Sequence, residues 1–372
     1  MNAHSIAHHF EELEDPRVDR TQRHPLINII VIGLCAVICG ADFFTEMEEF
    51  GEDKRDWLSK FIDLEHGIPS HDTFNAVFAR LKPQVFEKCL LSWITSLVEW
   101  TEGEVIAVDG KTLRGSYDKG DSKAAVHMVS AFAVANSLSL ASVVTDEKSN
   151  EITAIPKLLD LLDVSGSLVT IDALGCQKKI AEKIVDEDGD YVLAVKDNQP
   201  KLHQAIRDYF SKYLETDFAD VDCRTHQTFD VGHGREEDRY YYLAKVPTDF
   251  APQNDWPHIK AIGMAVNVTR RERKETMGVR YYIASRYLSG KRFANAVRGH
   301  WGIENLGHWQ LDVSFGEDDL RLRKGHAPQN MSVLMRTALS LLKNEQTNTR
   351  GIKSKRKKAG WNTAYLEKVL FA

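Results

Sequence analysis

The chain has 372 residues, 43% of them hydrophobic and 27% charged, as expected of a soluble globular protein with two or three domains. Its five cysteines (Cys35, Cys39, Cys89, Cys176, Cys223) are odd in number and form no CxxC pair. That excludes a disulfide framework and a cysteine zinc site, and fits a reducing cytosol. The formal net charge of −6 argues at first against nucleic acid, yet residues 320–372 carry 12 Lys/Arg and 2 Asp/Glu, against 36 and 52 in the rest. A basic end on an acidic body reads either as a footprint for a polyanion or as a solvated tail.

Residues 1–100 read as mainly helical. The opening MNAHSIAHHFEELEDPR is polar and mixed in charge, unlike a secretory signal. The most apolar run, residues 26–41, is 16 residues long and contains Asn28. It is shorter than the roughly 20 residues that span a bilayer and reads as a buried helix, so no membrane partner is expected. Residues 45–61 show helical spacing in Met47, Phe50, Trp57 and Phe61. After a break at His66-Gly67-Ile68-Pro69, Ser70-His71-Asp72-Thr73 starts a helix through Phe74, Val77, Phe78 and Leu81. Residues 84–100 form a further amphipathic helix behind Lys82-Pro83. Short helices about such a break read either as a helix-turn-helix DNA reader or as a packing module.

The pattern changes at Glu102-Gly103. Val105-Ile106-Ala107-Val108 reads as a buried strand ending in Asp109-Gly110-Lys111. Residues 126–144 read as two paired strands joined by Ala135-Asn136-Ser137, and residues 151–162 as a helix. Then follow a strand at 168–171 ending in Asp172, a helix at 177–186, a strand at 191–195 and a helix at 201–214. Strands alternating with helices indicate an α/β sheet with some parallel strands. Residues 218–286 are rich in aromatic and β-branched runs and read as a β-rich insertion. A helix from 291 carries Glu304, another spans 331–342, and the basic run at 350–358 is expected to be disordered when free.

Asp109 and Asp172, each ending a buried strand, read either as turn caps or as groups presented to a site at the ends of an open sheet. Glu304 lies between His300 and His308 at spacings of four, which places all three on one face of an α-helix. Asp109, Asp172 and Glu304 make a candidate carboxylate triad. Mg²⁺ prefers oxygen and takes one or two carboxylates plus phosphate oxygens. Two such ions about 3.5–4 Å apart activate an attacking oxygen and stabilise a leaving one, so the substrate is a phosphodiester. The rival reading is a zinc hydrolase site of His300, Glu304 and His308, which leaves the two aspartates without a role. Asp312, Glu317, Asp318 and Asp319 compete as the third acid. Lys111 and Arg114 read as phosphate holders or surface ion pairs, and Lys196, Asn198 and Gln199 as contacts to a DNA backbone. Trp301 and Trp309 read as core or site wall, or as base-stacking platforms.

Longer motifs carry a family likeness. VIAVDGKTLRGSYD, TDEKSNEITAIPKLLDLLD, TIDALGCQKKIAEKI, GDYVLAVKDNQ, GHGREEDR, RYYIAS and HWGIENLGHWQLDVSFGEDD closely resemble the H-repeat-associated insertion-sequence transposases. These belong to the DDE class. LCAVICGADFFTEMEEFG and GIPSHDTFNAVFARL resemble the helical domain that precedes the family's core, and the likeness covers about residues 8–370. It implies an α/β fold: an RNase H-like mixed sheet core flanked by helices (residues 101–217 and 287–345), a helical N-terminal domain (1–100), a β-rich insertion before the glutamate helix (218–286) and a basic tail (346–372). It implies Asp109, Asp172 and Glu304 as catalytic, metal-binding residues with two Mg²⁺ or Mn²⁺ ions, acting on double-stranded DNA. It further implies cleavage at the element's ends and joining of the 3′-hydroxyl to a target. Paired ends imply a homodimer in the DNA complex. A DNA-binding protein derived from a transposase and no longer cutting is the alternative. The insertion explains the 132 residues from Asp172 to Glu304, against 63 from Asp109 to Asp172. The wider superfamily has a Tyr, Arg, Glu, Lys signature around its glutamate, where this chain has Val297, His300, Glu304 and Leu311. The basic role is then expected to pass to His300, His308 or Arg298 as DNA-binding residues, the imidazoles contacting DNA phosphates or neighbouring carboxylates, and hairpin formation is not carried over.

Overall fold

The computed structural model describes residues 3–97, 103–116, 125–145, 151–232, 234–256, 258–271 and 274–371. Helices α1 (Ala3–His8), α2 (Leu26–Cys39), α3 (Phe44–Asp53), α4 (Arg55–Leu58), α5 (His71–Phe78) and α6 (Pro83–Thr95) come first. Next are β1 (Val105–Leu113), β2 (Val126–Ala133), β3 (Leu138–Val144), α7 (Glu151–Leu159), β4 (Leu168–Ile171), α8 (Lys178–Asp186), β5 (Asp190–Val195) and α9 (Pro200–Leu214). The chain continues with β6 (Cys223–Gly232), β7 (Arg235–Lys245), β8 (Ala261–Arg271), β9 (Lys274–Ala284), α10 (Gly290–Gly302), α11 (Trp309–Phe315), α12 (Ala327–Asn344), α13 (Ile352–Trp361) and α14 (Thr363–Phe371). The strands lie in the order β3-β2-β1-β4-β5-β9-β8-β7-β6, a mixed sheet with helices beside it. This is the α/β architecture expected of an RNase H-like core.

Two compact units divide the chain at other places than the sequence segments: Met1–Thr101, Gly110–Lys148 and Glu304–Ala372 in one, Glu102–Asp109 and Ser149–Ile303 in the other. In the first, α2 is buried from Asn28 to Ile38 save for the half-buried Val31, and packs against α3, α12 and α13. An apolar run with no polar face needs cover on every side, and these three helices supply it. Among the described residues no single helix is long and apolar enough to cross a membrane. The helix expected over 45–61 breaks at Lys54 into α3 and α4. The one expected over 84–100 ends at Thr95, and residues 98–100 lie outside the described residues. The hairpin at 126–144 forms as expected, with Ser137 taking the turn at φ 51°.

The basic run at 350–358 is a correction: it is the ordered helix α13. Two of its cations turn inward. Lys355 Nζ donates to the carbonyls of Leu342 (2.8 Å) and Glu345. Arg356 donates to the carbonyls of Val37 (2.9 Å) and Ser314 and lies 4.2 Å from the Phe315 ring centre. Carbonyls in the last turns of α2 and α12 have accepting capacity to spare and carry the negative end of the helix dipole. The two buried cations satisfy them, and that fixes α13.

In the second unit β1, β4 and β5 are parallel, while β9, β8, β7 and β6 follow as an antiparallel meander joined to β5 through Val192↔Ala284 to Val195↔Tyr281. The β-rich stretch is therefore an extension of the sheet. Helix α10 covers one face: Phe293, Ala294, Ala296 and Val297 are buried with Leu168, Val192, Tyr241, Tyr282 and Ala284. Each large apolar side chain among them stabilises the unit by about 1.5–3 kcal/mol. Gly263 makes room for Phe293, since a Cβ there would stand 2.5 Å from the ring. Helix α9 lies on the other face, with Phe210 6.4 Å from Tyr281.

Candidate active site

The pairing of β1 with β4 ends at Val108↔Ile171. Asp109 and Asp172 are the next residues on these adjacent parallel strands, which lie about 5 Å apart. Strand β1 does not stop at Asp109, contrary to the sequence reading. It runs on to Leu113 beside the neighbouring strand β2, with Thr112 Oγ1 2.8 Å from His127 Nδ1. Side chains alternate along a strand, so Asp109 shares its face with Val105 and Ala107, and Asp172 with Leu168 and Thr170. Val105 and Leu168 pack in the cluster beneath α10, so both carboxylates belong to the face that this helix covers.

Asp172 Oδ1 accepts from the backbone N–H of Leu174 (3.0 Å) and Gly175 (3.2 Å), which makes it a turn cap as well. Its Oδ2 has no hydrogen-bond partner among the described residues. The turn is held by its neighbours: Asn198 Nδ2 donates to the Ala173 carbonyl (2.6 Å) and Gln199 Nε2 to that of Cys176 (3.0 Å). Asn198 is exposed but braces this loop, and Lys196 beside it is exposed. Gly175 has no space for a side chain, because a Cβ would stand 2.3 Å from Ile171 and 2.8 Å from Ile155. Gly175→Ala is expected to cost about 1–3 kcal/mol, the scale of overpacking a filled site, and to displace the Asp172 carboxylate. Urea unfolding reads the first effect, and a fall in turnover larger than that of an equally destabilising core variant reads the second.

Ser289 caps α10 by accepting from the Arg292 N–H at 3.2 Å. The helix brings His300 beside Asp172 and Thr170, and burial pushes the imidazole pKa below its usual value while the Asp172 charge opposes that shift. The ring is therefore neutral at pH 7. Its Nδ1 is enclosed without a hydrogen-bond partner among the described residues. Trp301, next along, has the Arg280 guanidinium 4.1 Å from its ring centre and is a wall packed by a cation. Arg298 pairs with Asp230 at 2.7 Å, and Arg239 shares that carboxylate.

From Ile303 to His308 the helix is π-helical, and Glu304 is exposed in its first turn. In a π-helix each residue advances less about the axis than in an α-helix. A spacing of four there comes round close to one full circuit, so Glu304 and His308 stay near one face of the stretch. Burial first, then Arg336 and Lys111, push the His308 pKa down to about 3. Burial thus disfavours the charged form of both imidazoles.

Lys111 is also corrected. It is 8% exposed, and its Nζ donates to both Asp312 and Glu317. It is an internal ion pair and is not presented to phosphate. Glu317, 2% exposed, also accepts from Ser332 Oγ at 2.5 Å. Arg336 donates to Ser332 (3.2 Å) and to Ser130. The two carboxylates on Lys111 shift in opposite senses. Burial raises both, but Glu317 also feels Arg336 and ends low, while Asp312 has Asp318 and Glu317 nearby and ends high. Arg114 is exposed and lies 3.6 Å from Asp318. The rival acids Asp312, Glu317 and Asp318 are thus engaged with cations. Sequence reasoning missed this cluster, although Arg336 inside an apolar helix was its visible sign.

Among the described residues no three His, Cys, Asp or Glu side chains gather as a preformed metal site. Two carboxylates abreast, one with an oxygen left over, suit a hard cation that takes one or two protein carboxylates and completes its shell from substrate and water.

The sheet order sets Asp109, within β1, beside Asp172, just past β4, on neighbouring parallel strands. The chain belongs to the family described as transposase DDE domain, whose model matches residues 100–341; the model described as DDE_Tnp_1-associated matches residues 7–94. It is 42% identical to the "Putative transposase YncI" of Escherichia coli O157:H7, across all of this chain and 95% of that protein. It is 38% identical to the "H repeat-associated putative transposase YhhI" of Escherichia coli K12, across all of this chain and 98% of that one. The "Inactive transposase YbfQ" of the same strain is 35% identical over 82 residues, 22% of this chain and 98% of that one.

Proposed function

We propose that this protein is a metal-dependent DNA transposase that cuts at the ends of its own element and joins the 3′-hydroxyl to target DNA by in-line displacement. The observation that carries the reading is the pair Asp109 and Asp172, each one residue past the last pair of β1 and β4, on the face covered by α10. Asp109, Asp172 and Glu304 would hold two Mg²⁺ or Mn²⁺ ions. Such ions supply activation of the attacking oxygen and stabilisation of the leaving one. The protein's own part is placement: Asp172 is fixed by its turn, and α10 fixes His300 beside it. Asp172 Oδ2, which has no hydrogen-bond partner among the described residues, is the oxygen open to a cation. The partner is double-stranded DNA, with a homodimer holding two ends.

The test is cleavage of duplex DNA carrying the repeats that flank the gene. Cleavage is expected with Mg²⁺, lost on chelation and restored by Mg²⁺ or Mn²⁺. Cleavage that persists in chelator, or returns with zinc alone, overturns the reading. Binding without cleavage in any metal supports a DNA-binding derivative instead.

A further inference from the structure

The outer face of α13 is strongly cationic. Residues 346–366 contain six Lys/Arg and no Asp/Glu. Lys355 and Arg356 are consumed inside, and Lys358 lies over the Tyr365 ring at 4.3 Å. Arg350, Lys353 and Lys357 are exposed and have no carboxylate within ion-pair distance among the described residues. Lys353, Lys357 and Trp361 follow at spacings of four on one α-helical face, a line about 12 Å long. Trp361 is 80% exposed. Indole has a large apolar surface to gain from cover, and here it stands in solvent at the end of a row of unpaired cations.

We propose that this face of α13 docks on the phosphate backbone of duplex DNA, with Arg350, Lys353 and Lys357 on phosphates and Trp361 packed against the sugar and base edges. The inference rests on the transposase reading for the choice of DNA as the polyanion. Charge complementarity selects a polyanion, since the face carries cations without a neutralising acid. The inward anchoring of Lys355 and Arg356 suits a rigid partner. It holds the outer cations on an ordered helix, so docking does not pay for ordering a loose tail. Because the charged contacts reach only the backbone, the surface is largely blind to sequence and adds affinity for any duplex.

The test uses the full chain and a duplex without the element's repeats. Lys353→Gln with Lys357→Gln is expected to weaken binding at least about tenfold and to lower the slope of log affinity against log salt by about 2. Trp361→Ala is expected to weaken binding with the slope unchanged. Circular dichroism and the melting temperature should match wild type, since neither change touches the core. Wild-type affinity and slope in the double variant overturn the proposal, while cleavage by the wild-type protein leaves the transposase reading standing. Loss of binding to anionic phosphatidylserine vesicles, with duplex binding intact, overturns it in favour of a membrane surface. A wild-type protein that binds no duplex sinks both.

Discussion

Replacing Asp109 or Asp172 by asparagine, or Glu304 by glutamine, is expected to lower metal-dependent cleavage by about a hundred- to a thousand-fold while leaving DNA binding and the melting temperature in place. The size is that of removing a preorganised charge from a site where charge develops during reaction. The choice of isostere separates chemistry from folding. Asp172 Oδ1 accepts from Leu174 and Gly175, and an asparagine carbonyl oxygen accepts the same two bonds. The turn into α8 therefore survives, and only the charge is lost. Glu304 is exposed, so glutamine there leaves no cavity and strands no partner. Cleavage and filter binding on the same preparations decide the matter. Full activity in Glu304→Gln would move the third acid elsewhere. Asp312 is the next to test, although its bond to Lys111 makes it a structural residue first.

How much of this was legible differs from residue to residue. The strands at 105–108 and 168–171 were visible because parallel strands covered on both faces read as unbroken apolar runs. The aspartates following them were visible for the same reason. The continuation of β1 through Gly110-Lys111-Thr112 was not, because those residues resemble a turn and only β2, further along, gives them a neighbour. The β-rich character of 218–286 was plain from its composition, but its attachment to β5 is a matter of edge pairing that no local pattern states. The π-helical stretch was hidden behind a helical pattern that fits 3.6 residues per turn. The run of lysines at 353–358 read as solvated by default. What reverses that for Arg356 is a carbonyl at Val37, 319 residues away.

The second large effect is expected at Lys111, in stability. Lys111→Met keeps the volume but leaves Glu317 buried with one cation fewer, and removing one partner of a buried pair costs about 3–5 kcal/mol. Arg336 keeps the loss toward the lower end, since it still acts on the same carboxylate. Glu317→Gln added to Lys111→Met should recover much of the loss, because the carboxylate that lost its cation is then replaced by a neutral amide. The pH dependence gives an independent check. Burial raises the Glu317 pKa, but Arg336, Lys111 and Ser332 together bring it below the ordinary value. A carboxylate depressed in the folded state contributes stability above its unfolded pKa and loses it as pH falls through the folded one. Without Lys111 the opposing effect of burial gains weight, Glu317 takes up a proton more readily, and the penalty on the folded state is relieved by acid. The deficit of Lys111→Met against wild type, read from urea midpoints, should therefore be larger at pH 7 than at pH 5. A deficit under about 1 kcal/mol that does not change with pH would mean that water reaches Glu317, and that the pair is worth no more than one at the surface.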